Sequence, residues 1–163
     1  LRLFEAARWA PSAFNAQPWR FVYALRGGPD WDRFLSLLAP FNQGWAVSAS
    51  ALIFIVSDKF GRNADGSPKA PSHSHSFDAG AAWGSLALQA TLDGLHTHGM
   101  TGVDFEKAAA ELGVPDDFKI EAAIAVGRIG DPSTLPDALR EREKPSGRLD
   151  LSQLAFAGSF AAR

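Results

Sequence analysis

Apolar residues recur over the first ten positions at Leu3, Phe4, Ala7, Trp9 and Ala10, an approximate helical face. Pro11 ends it, because proline disfavours helical geometry in the residue before it. The period then changes. Trp19 to Leu25 (WRFVYAL) concentrates aromatic and β-branched residues and predicts a strand, and Arg26-Gly27-Gly28-Pro29-Asp30 predicts a turn. Trp31, Phe34, Leu35 and Leu38 return to helical spacing. Ala51 to Ser57 (ALIFIVS) is a short continuous apolar run, as expected of a strand covered on both faces. Asp58 to Ser76 mixes Gly, Asn, Asp, Ser, Pro and charged residues without a period and reads as a long mobile loop. Loops longer than about 12–15 residues are usually functional or disordered.

Phe77 to Leu92 has helical character and is apolar nearly all round, through Ala79, Ala81, Ala82, Trp83, Leu86, Ala87, Leu88 and Ala90. Such a helix must be buried on most sides. Asp104 can cap a further helix through Leu112, ended by Gly113 and Pro115. Lys119 to Ile129 predicts another strand. From Asp131 the chain is Pro-rich and charged as far as Leu149, then small and apolar. Strands and helices interspersed with irregular links predict an α+β fold: one mixed or antiparallel sheet flanked by helices, in a single domain over residues 1–163. Leu1 to Ala10 reads as the middle of a helix with no cap before it, so a natural N-terminal segment is expected to precede it.

Composition narrows the function. With 46% hydrophobic and 21% charged residues, general disorder is excluded. A net charge of −2 supplies no field for nucleic acid or an anionic membrane, so neither is expected as a partner. The absence of cysteine removes disulfides, zinc-thiolate sites and cysteine nucleophiles. The longest apolar run, Ala49 to Val56, falls well short of the about 20 residues of a membrane span. No secretory signal is visible, and a cytoplasmic location is expected.

The richest chemistry lies in Ala7-Arg8-Trp9-Ala10-Pro11-Ser12-Ala13-Phe14-Asn15-Ala16-Gln17-Pro18-Trp19-Arg20-Phe21. Two prolines, a Ser, an Asn and a Gln sit between a helix and a strand. Donors and acceptors beside exposed backbone suit the carbonyl and amide edge of a heterocycle. A Pro-stiffened loop in which Ser and Asn cap local turns accounts for the same residues equally well.

This stretch resembles the helix–loop–strand signature of the nitroreductase family, A-P-S-x-x-N-x-Q-P-W followed by an aromatic strand. The resemblance implies that Pro11, Ser12 and Asn15 contact FMN, carried across to the partner subunit of an intertwined homodimer, with Gln17-Pro18-Trp19 fixing the loop. Ala13 stands where the family often has a second Ser. Phe41-Asn42-Gln43-Gly44-Trp45-Ala46 is similar to the family's N-Q-x-W segment, which implies that Asn42 reaches the polar edge of the isoalloxazine and that Trp45 packs nearby. Without the resemblance, Asn42 would be a helix-terminating residue. Phe77 to Asp104 resembles the family's D-x-G-A-x-x-x-x-L-x-L-x-A-x-x-x-G-L helix and the turn after it. Ala79, Gly80, Ala81, Gly84 and Ala87 permit close helix approach, which fits the family's interface helix. In the turn Gly99-Met100-Thr101-Gly102, the resemblance implies cofactor contacts from Met100, Thr101 and Gly102. The Thr101 and Gly102 backbone N–H groups would face the reactive nitrogen and adjacent carbonyl of the flavin, a catalytic role that tolerates Thr101 where members often carry Glu. Arg142-Glu143-Lys144-Pro145 is similar to the R-x-K-P of the family's C-terminal arm, which implies that Arg142 and Lys144 hold the FMN phosphate. By residues alone, Leu139 to Arg148 is a solvated arm in which Glu141 and Glu143 alternate with basic side chains. The family's basic R-R-S-x-R-like start has no match in Leu1 to Arg8.

Two histidine pairs, His73-x-His75 and His96-x-His98, raise zinc binding, but no third ligand stands at a telling spacing and no metal site is expected. His96 and His98 either bond locally or line a pocket. The resemblance therefore implies an enzyme that passes electrons from NAD(P)H through FMN to nitroaromatics, quinones or similar small acceptors by a ping-pong mechanism. Flavin cleavage, reductive dehalogenation and flavin storage without turnover are the alternative uses of such a fold.

Overall fold

The computed structural model describes residues 1–160, which divide into two compact units, Leu1–Ile129 and a second one from Gly130 onward. In chain order the first unit contains α1 (Arg2–Arg8), β1 (Trp19–Leu25), α2 (Trp31–Ser36), α3 (Pro40–Ala46) and β2 (Ala51–Asp58). It continues with β3 (Phe60–Arg62), β4 (Pro68–Pro71), α4 (His75–Leu92), β5 (His96–Met100), α5 (Phe105–Leu112) and β6 (Phe118–Gly127). The second unit holds a short helix, α6 (Asp137–Arg140), and two 3₁₀ turns.

The main sheet runs β1-β2-β6-β5, and every pairing is antiparallel. Its middle strand β2 is apolar without interruption because both of its sides are covered. Leu52, Phe54 and Val56 join a core with Trp31, Phe34, Leu37, Ala46, Met100 and Ala108, beneath α2, α3 and α5. Ile53 and Ile55 point the other way, into a core with Ala7, Trp19, Ala79, Ala82 and Leu86, beneath α1 and α4. Side chains alternate across a strand, so one continuous apolar run serves two cores.

Three local readings change. Phe41-Asn42-Gln43 lies inside α3, which Pro40 starts from its first turn, where a missing N–H costs nothing. Asn42 therefore terminates no helix. Residues 58–76 are not one mobile loop: β3 and β4 pair as a hairpin. Its base is tied down by Arg62, which bonds Asp58 (2.5 and 2.8 Å) and Asp117 (2.5 Å). Burial pushes the Asp58 carboxyl up, but Arg62, the Phe60 N–H and the charge of Arg20 outweigh it and hold Asp58 below its ordinary range. His96 to Met100 is an edge strand rather than part of a turn. Its His and Gly residues have little strand preference, and the ladder with β6 holds it.

The helix expected from Phe77 begins two residues earlier, at His75, behind Ser74. It buries Asp78, Ala79, Ala82, Leu86 and Ala90 against α1 and the sheet. On its other side Phe77 (81% exposed), Gly80, Gly84, Leu88 (70%) and Leu92 (80%) stand uncovered by this chain. Among the described residues no helix is long and apolar enough to cross a membrane.

At one end of the sheet a β-bulge shifts the β2–β6 register between Ile55 and Val56, so Ile55 faces Ala122 while Val56 faces Ile120. Glu121 is the extra residue. Its Oε1 accepts from Ser57 Oγ and Ser76 Oγ (2.6 Å each), and its Oε2 from Lys119 Nζ (2.8 Å). Ser57 spends its one proton on Glu121, so the contact with His75 Nδ1 (2.8 Å) requires that nitrogen to donate. The first turn of α4 is thereby bonded to both central strands.

Burial pushes the Glu121 carboxyl up, but bonds from Lys119, Ser57 and Ser76 and the charge of Lys119 outweigh it and hold it below the usual 4.5. A depressed carboxyl pKa adds stability that is complete above the unfolded value and is lost as pH falls through the folded one. Glu121→Gln should therefore lose about 1–3 kcal/mol in urea unfolding at neutral pH. The gap to wild type should narrow as the pH drops below 4.5. A gap that does not change with pH would show that the charge of Glu121 contributes nothing.

Candidate functional site

Gly102 and Asn42 meet where β5 gives way to α5. Asn42 lies in the first turn of α3, and its Nδ2 donates to Gly102 O (3.1 Å) while its Oδ1 accepts from Trp45 Nε1 (3.3 Å). The Ala39 N–H donates to the same Gly102 carbonyl (2.9 Å). A Cβ at position 102 would overlap the Asn42 amide and displace it from its bond to the Gly102 carbonyl. One residue earlier, the Thr101 carbonyl accepts from the Val103 N–H (2.9 Å) in a three-residue turn. The Gly102 N–H shares a trans peptide with that carbonyl and must point away from it. Among the described residues, the Thr101 and Gly102 N–H groups donate to no protein acceptor. Two free backbone donors beside a fixed turn can receive an acceptor edge or a developing negative charge. Met100, the residue before them, is buried in the core beneath α3 and α5.

The Pro11–Asn15 loop stands elsewhere, at the start of α4. Asp78, buried in that helix, accepts from the Ala13 N–H (3.2 Å) and from Ser74 Oγ (3.0 Å). Within the loop, Ser12 Oγ accepts from the Gln17 N–H (3.0 Å) and Gln17 Nε2 donates to Asn15 O (3.2 Å). Phe14, Asn15 and Gln17 all have positive φ, at 52, 55 and 48°. Backbone strain of this sort, on the order of 1–3 kcal/mol per residue, persists only where the surroundings impose it. Phe14 is fully exposed and Asn15 is exposed.

The structure thus brings Asn42, Met100, Thr101 and Gly102 together. Among the described residues, no hydrogen bond joins Pro11, Ser12 or Asn15 to them within this chain. Arg142 and Lys144 fall in the second unit, both exposed, in a turn where the Lys144 N–H donates to Arg142 O (2.8 Å). Of the histidines, His75 is bound at the Glu121 cluster, His73 is exposed, and His96 and His98 share one face of β5. The His98 ring lies 4.8 Å from that of Trp45, edge to face. Among the described residues no three His, Asp or Glu side chains gather in a group that could hold a metal ion.

Two hollows flank β6. One of about 450 Å³ runs along α5 past Phe105, Val114, Phe118 and Lys119, and one of about 100 Å³ lies between Trp83, Gly99 and Glu121. Asn42, Thr101 and Gly102 line neither. Sequence reasoning missed Asp78 as the anchor of the polar loop. The signal was an acid four residues after Ser74, the one charged carboxylate in a helix rich in Ala, Gly and Leu. Trp45 was expected only to pack, and nothing in its local sequence marks it as a donor to Asn42.

The chain resembles known proteins over almost its whole length. The model of the nitroreductase family matches residues 1–36 and 29–128. A crystal structure of an oxidoreductase containing FMN is 50% identical, with a TM-score of 0.95, and covers 99% of this chain and 81% of that one. A nitroreductase family protein from Streptococcus pneumoniae shares the fold at 23% identity and a TM-score of 0.73, over 95% of this chain and 86% of that one. An uncharacterised 15.4 kDa protein of Mycolicibacterium smegmatis is 36% identical over 86% of this chain and 97% of its own. A proposed NAD(P)H nitroreductase of Bacillus subtilis, YdgI, is 41% identical over 39% of this chain and 28% of its own. The α+β sheet with helices on both sides, the Pro11–Trp19 loop and these matches together make the chain a member of the nitroreductase family.

Proposed function

We propose that this protein is an FMN-dependent oxidoreductase, taking electrons from NAD(P)H and delivering them to nitroaromatics, quinones or similar small flat acceptors in a ping-pong cycle. The observation that carries the reading is the pair of unclaimed N–H groups at Thr101 and Gly102, held in place by the Asn42 contact with the Gly102 carbonyl. Fixed donors of this kind cost no reorganisation when charge develops beside them. The 50% identical relative is an oxidoreductase containing FMN, and NAD(P)H as donor is supported by the name of the Bacillus subtilis relative.

The residues fit such a group. Bound FMN supplies the two-electron chemistry, so no side chain need act as a nucleophile. Thr101 and Gly102 donate to its ring, and Asn42 retains one N–H and one lone pair for the ring's polar edge beyond its bonds to Gly102 and Trp45. Pro11, Ser12 and Asn15 would contact the flavin of the partner subunit, and Arg142 and Lys144 would serve an FMN phosphate, since a planar guanidinium suits phosphate oxygens. The protein as purified should show flavin absorption in the visible blue and should oxidise NADPH in the presence of a nitroaromatic. A colourless protein that gains no flavin from added FMN would end the flavin reading; a yellow one without turnover would leave a flavin-binding protein.

For the phosphate, replacing Arg142 and Lys144 together with Gln should weaken FMN binding more than riboflavin binding, since riboflavin lacks the phosphate. Equal losses for both ligands, measured by fluorescence quenching, would leave the basic pair with a role in the arm alone.

A homodimer is part of the proposal. Phe77, Gly80, Gly84, Leu88 and Leu92 form an apolar stripe that this chain leaves open, and a two-fold copy can cover it with its own stripe. Obligate interfaces often bury about 2,000 Å² or more. Gly84→Leu, at a position with open space over the helix, should block close approach and cost dimer and flavin together. Sedimentation velocity at protein and flavin wavelengths reads both. A folded monomer that keeps stoichiometric FMN would sink the shared site.

A further inference from the structure

Asn42 holds the Gly102 carbonyl in only one of its two amide orientations, and chemistry decides which. An indole N–H can only donate and a backbone carbonyl can only accept. With Trp45 Nε1 on one side and Gly102 O on the other, Oδ1 must face Trp45 and Nδ2 must face Gly102. The flipped amide would set donor against donor and oxygen against oxygen. Trp45 is itself held, by the tilted His98 ring (centroids 4.8 Å apart) and by packing on the core beneath α3.

We propose that Trp45 is a positioning residue of the flavin site: through Asn42 it fixes the Gly102 carbonyl and so keeps the Thr101 and Gly102 N–H groups aimed at the cofactor. The inference rests on the flavin reading above. Two peptide planes meet at Gly102. The Val103 N–H sets the first through the Thr101 carbonyl, and Ala39 and Asn42 set the second through the Gly102 carbonyl. The Ala39 amide is one of two donors to that carbonyl, so freeing Asn42 loosens the turn without unmaking it. The absence of a side chain at 102 is what lets the amide come this close. The consequence is specific: loss of the indole N–H should alter how strongly the site favours reduced over oxidised flavin, because donors at the ring stabilise the charge gained on reduction.

The test is Trp45→Phe, which keeps an aromatic ring on the core beneath α3 and removes the donor together with part of the indole's volume, with Asn42→Ala and the double variant completing a cycle in the full-length, FMN-loaded protein. Flavin content is read first from the absorption spectrum, then the two-electron midpoint potential by equilibration with a reference dye. Amide exchange at Ala39 and Val103 is followed in the same samples. Trp45→Phe should retain FMN and lower the reduction equilibrium constant about tenfold, equivalent to ~30 mV for a two-electron couple. It should also speed exchange at Ala39 and Val103. In the Asn42→Ala background it should change neither quantity, because two groups acting through one contact are not additive. Wild-type protein without flavin would remove the functional reading, and the proposal with it. Flavin-loaded wild type with an unchanged potential in Trp45→Phe overturns the proposal alone, as does an equal shift in the Asn42→Ala background. If Trp45→Phe does not fold, amide exchange in Asn42→Ala decides, because Asn42 also meets the ring and shifts the potential by itself: unchanged exchange at Ala39 and Val103 overturns the clamp.

Discussion

The first unit depends on β2 burying both of its faces. A strand in the middle of a sheet with helices on one side only would show alternating polarity; Ala51 to Ser57 does not, and both cores are built on it. Full burial of a Leu, Ile, Val or Phe side chain is worth about 1.5–3 kcal/mol, and β2 commits five of them, Leu52 to Val56, in succession. With that strand fixed, β1 and β6 pair on either side of it, and β5 attaches at the far edge of β6. Everything at the candidate site is then placed by distance from β2: α3 with Asn42 and Trp45 lies over one face, and α4 with Asp78 and His75 over the other.

The polar residues near the ends of the sheet work within that frame. On the α4 face, the bulge at Glu121 turns a carboxylate towards Ser57, Ser76 and Lys119 and fastens the helix start, while Asp78 one turn further holds the Ala13 amide. Strain in the Phe14–Gln17 segment is tolerated because its two ends are pinned by that amide bond and by the Ser12–Gln17 contact. On the α3 face, the Asn42 amide and the Ala39 N–H share the Gly102 carbonyl. The two faces thus organise the polar loop and the donor turn separately, and this chain alone does not join them by any hydrogen bond among the described residues.

The long helix shows how an apolar pattern can be satisfied only in part. Its sequence is apolar nearly all round, yet the chain covers one side and leaves Phe77, Leu88 and Leu92 in solvent. Exposed apolar stripes of this length are uncommon on monomers and mark contact surfaces. The small residues at Gly80 and Gly84 lie in the same stripe with open space above them.

Sequence alone determined what depends on near neighbours along the chain. The composition and polarity of residues 19–25, 51–57 and 105–112 specify β1, β2 and α5, because aromatic and β-branched content, an unbroken apolar run and an Asp104–Gly113 cap pair are local properties. The Pro11–Trp19 motif was legible for the same reason, as a run of residue types with fixed spacing. Tertiary structure decided the rest. The strand at His96–Met100 exists because β6 offers it a ladder, and the hairpin of residues 60–71 is held at its base by Asp117, 55 residues beyond Arg62. The partner of Asn42 is 60 residues away and is a backbone carbonyl, which carries no signature in a sequence. A glycine at 102 looks like any turn glycine until the fold brings an amide to the place its side chain would occupy. Contacts between distant segments are set by how helices pack across β2, and no local pattern encodes that packing.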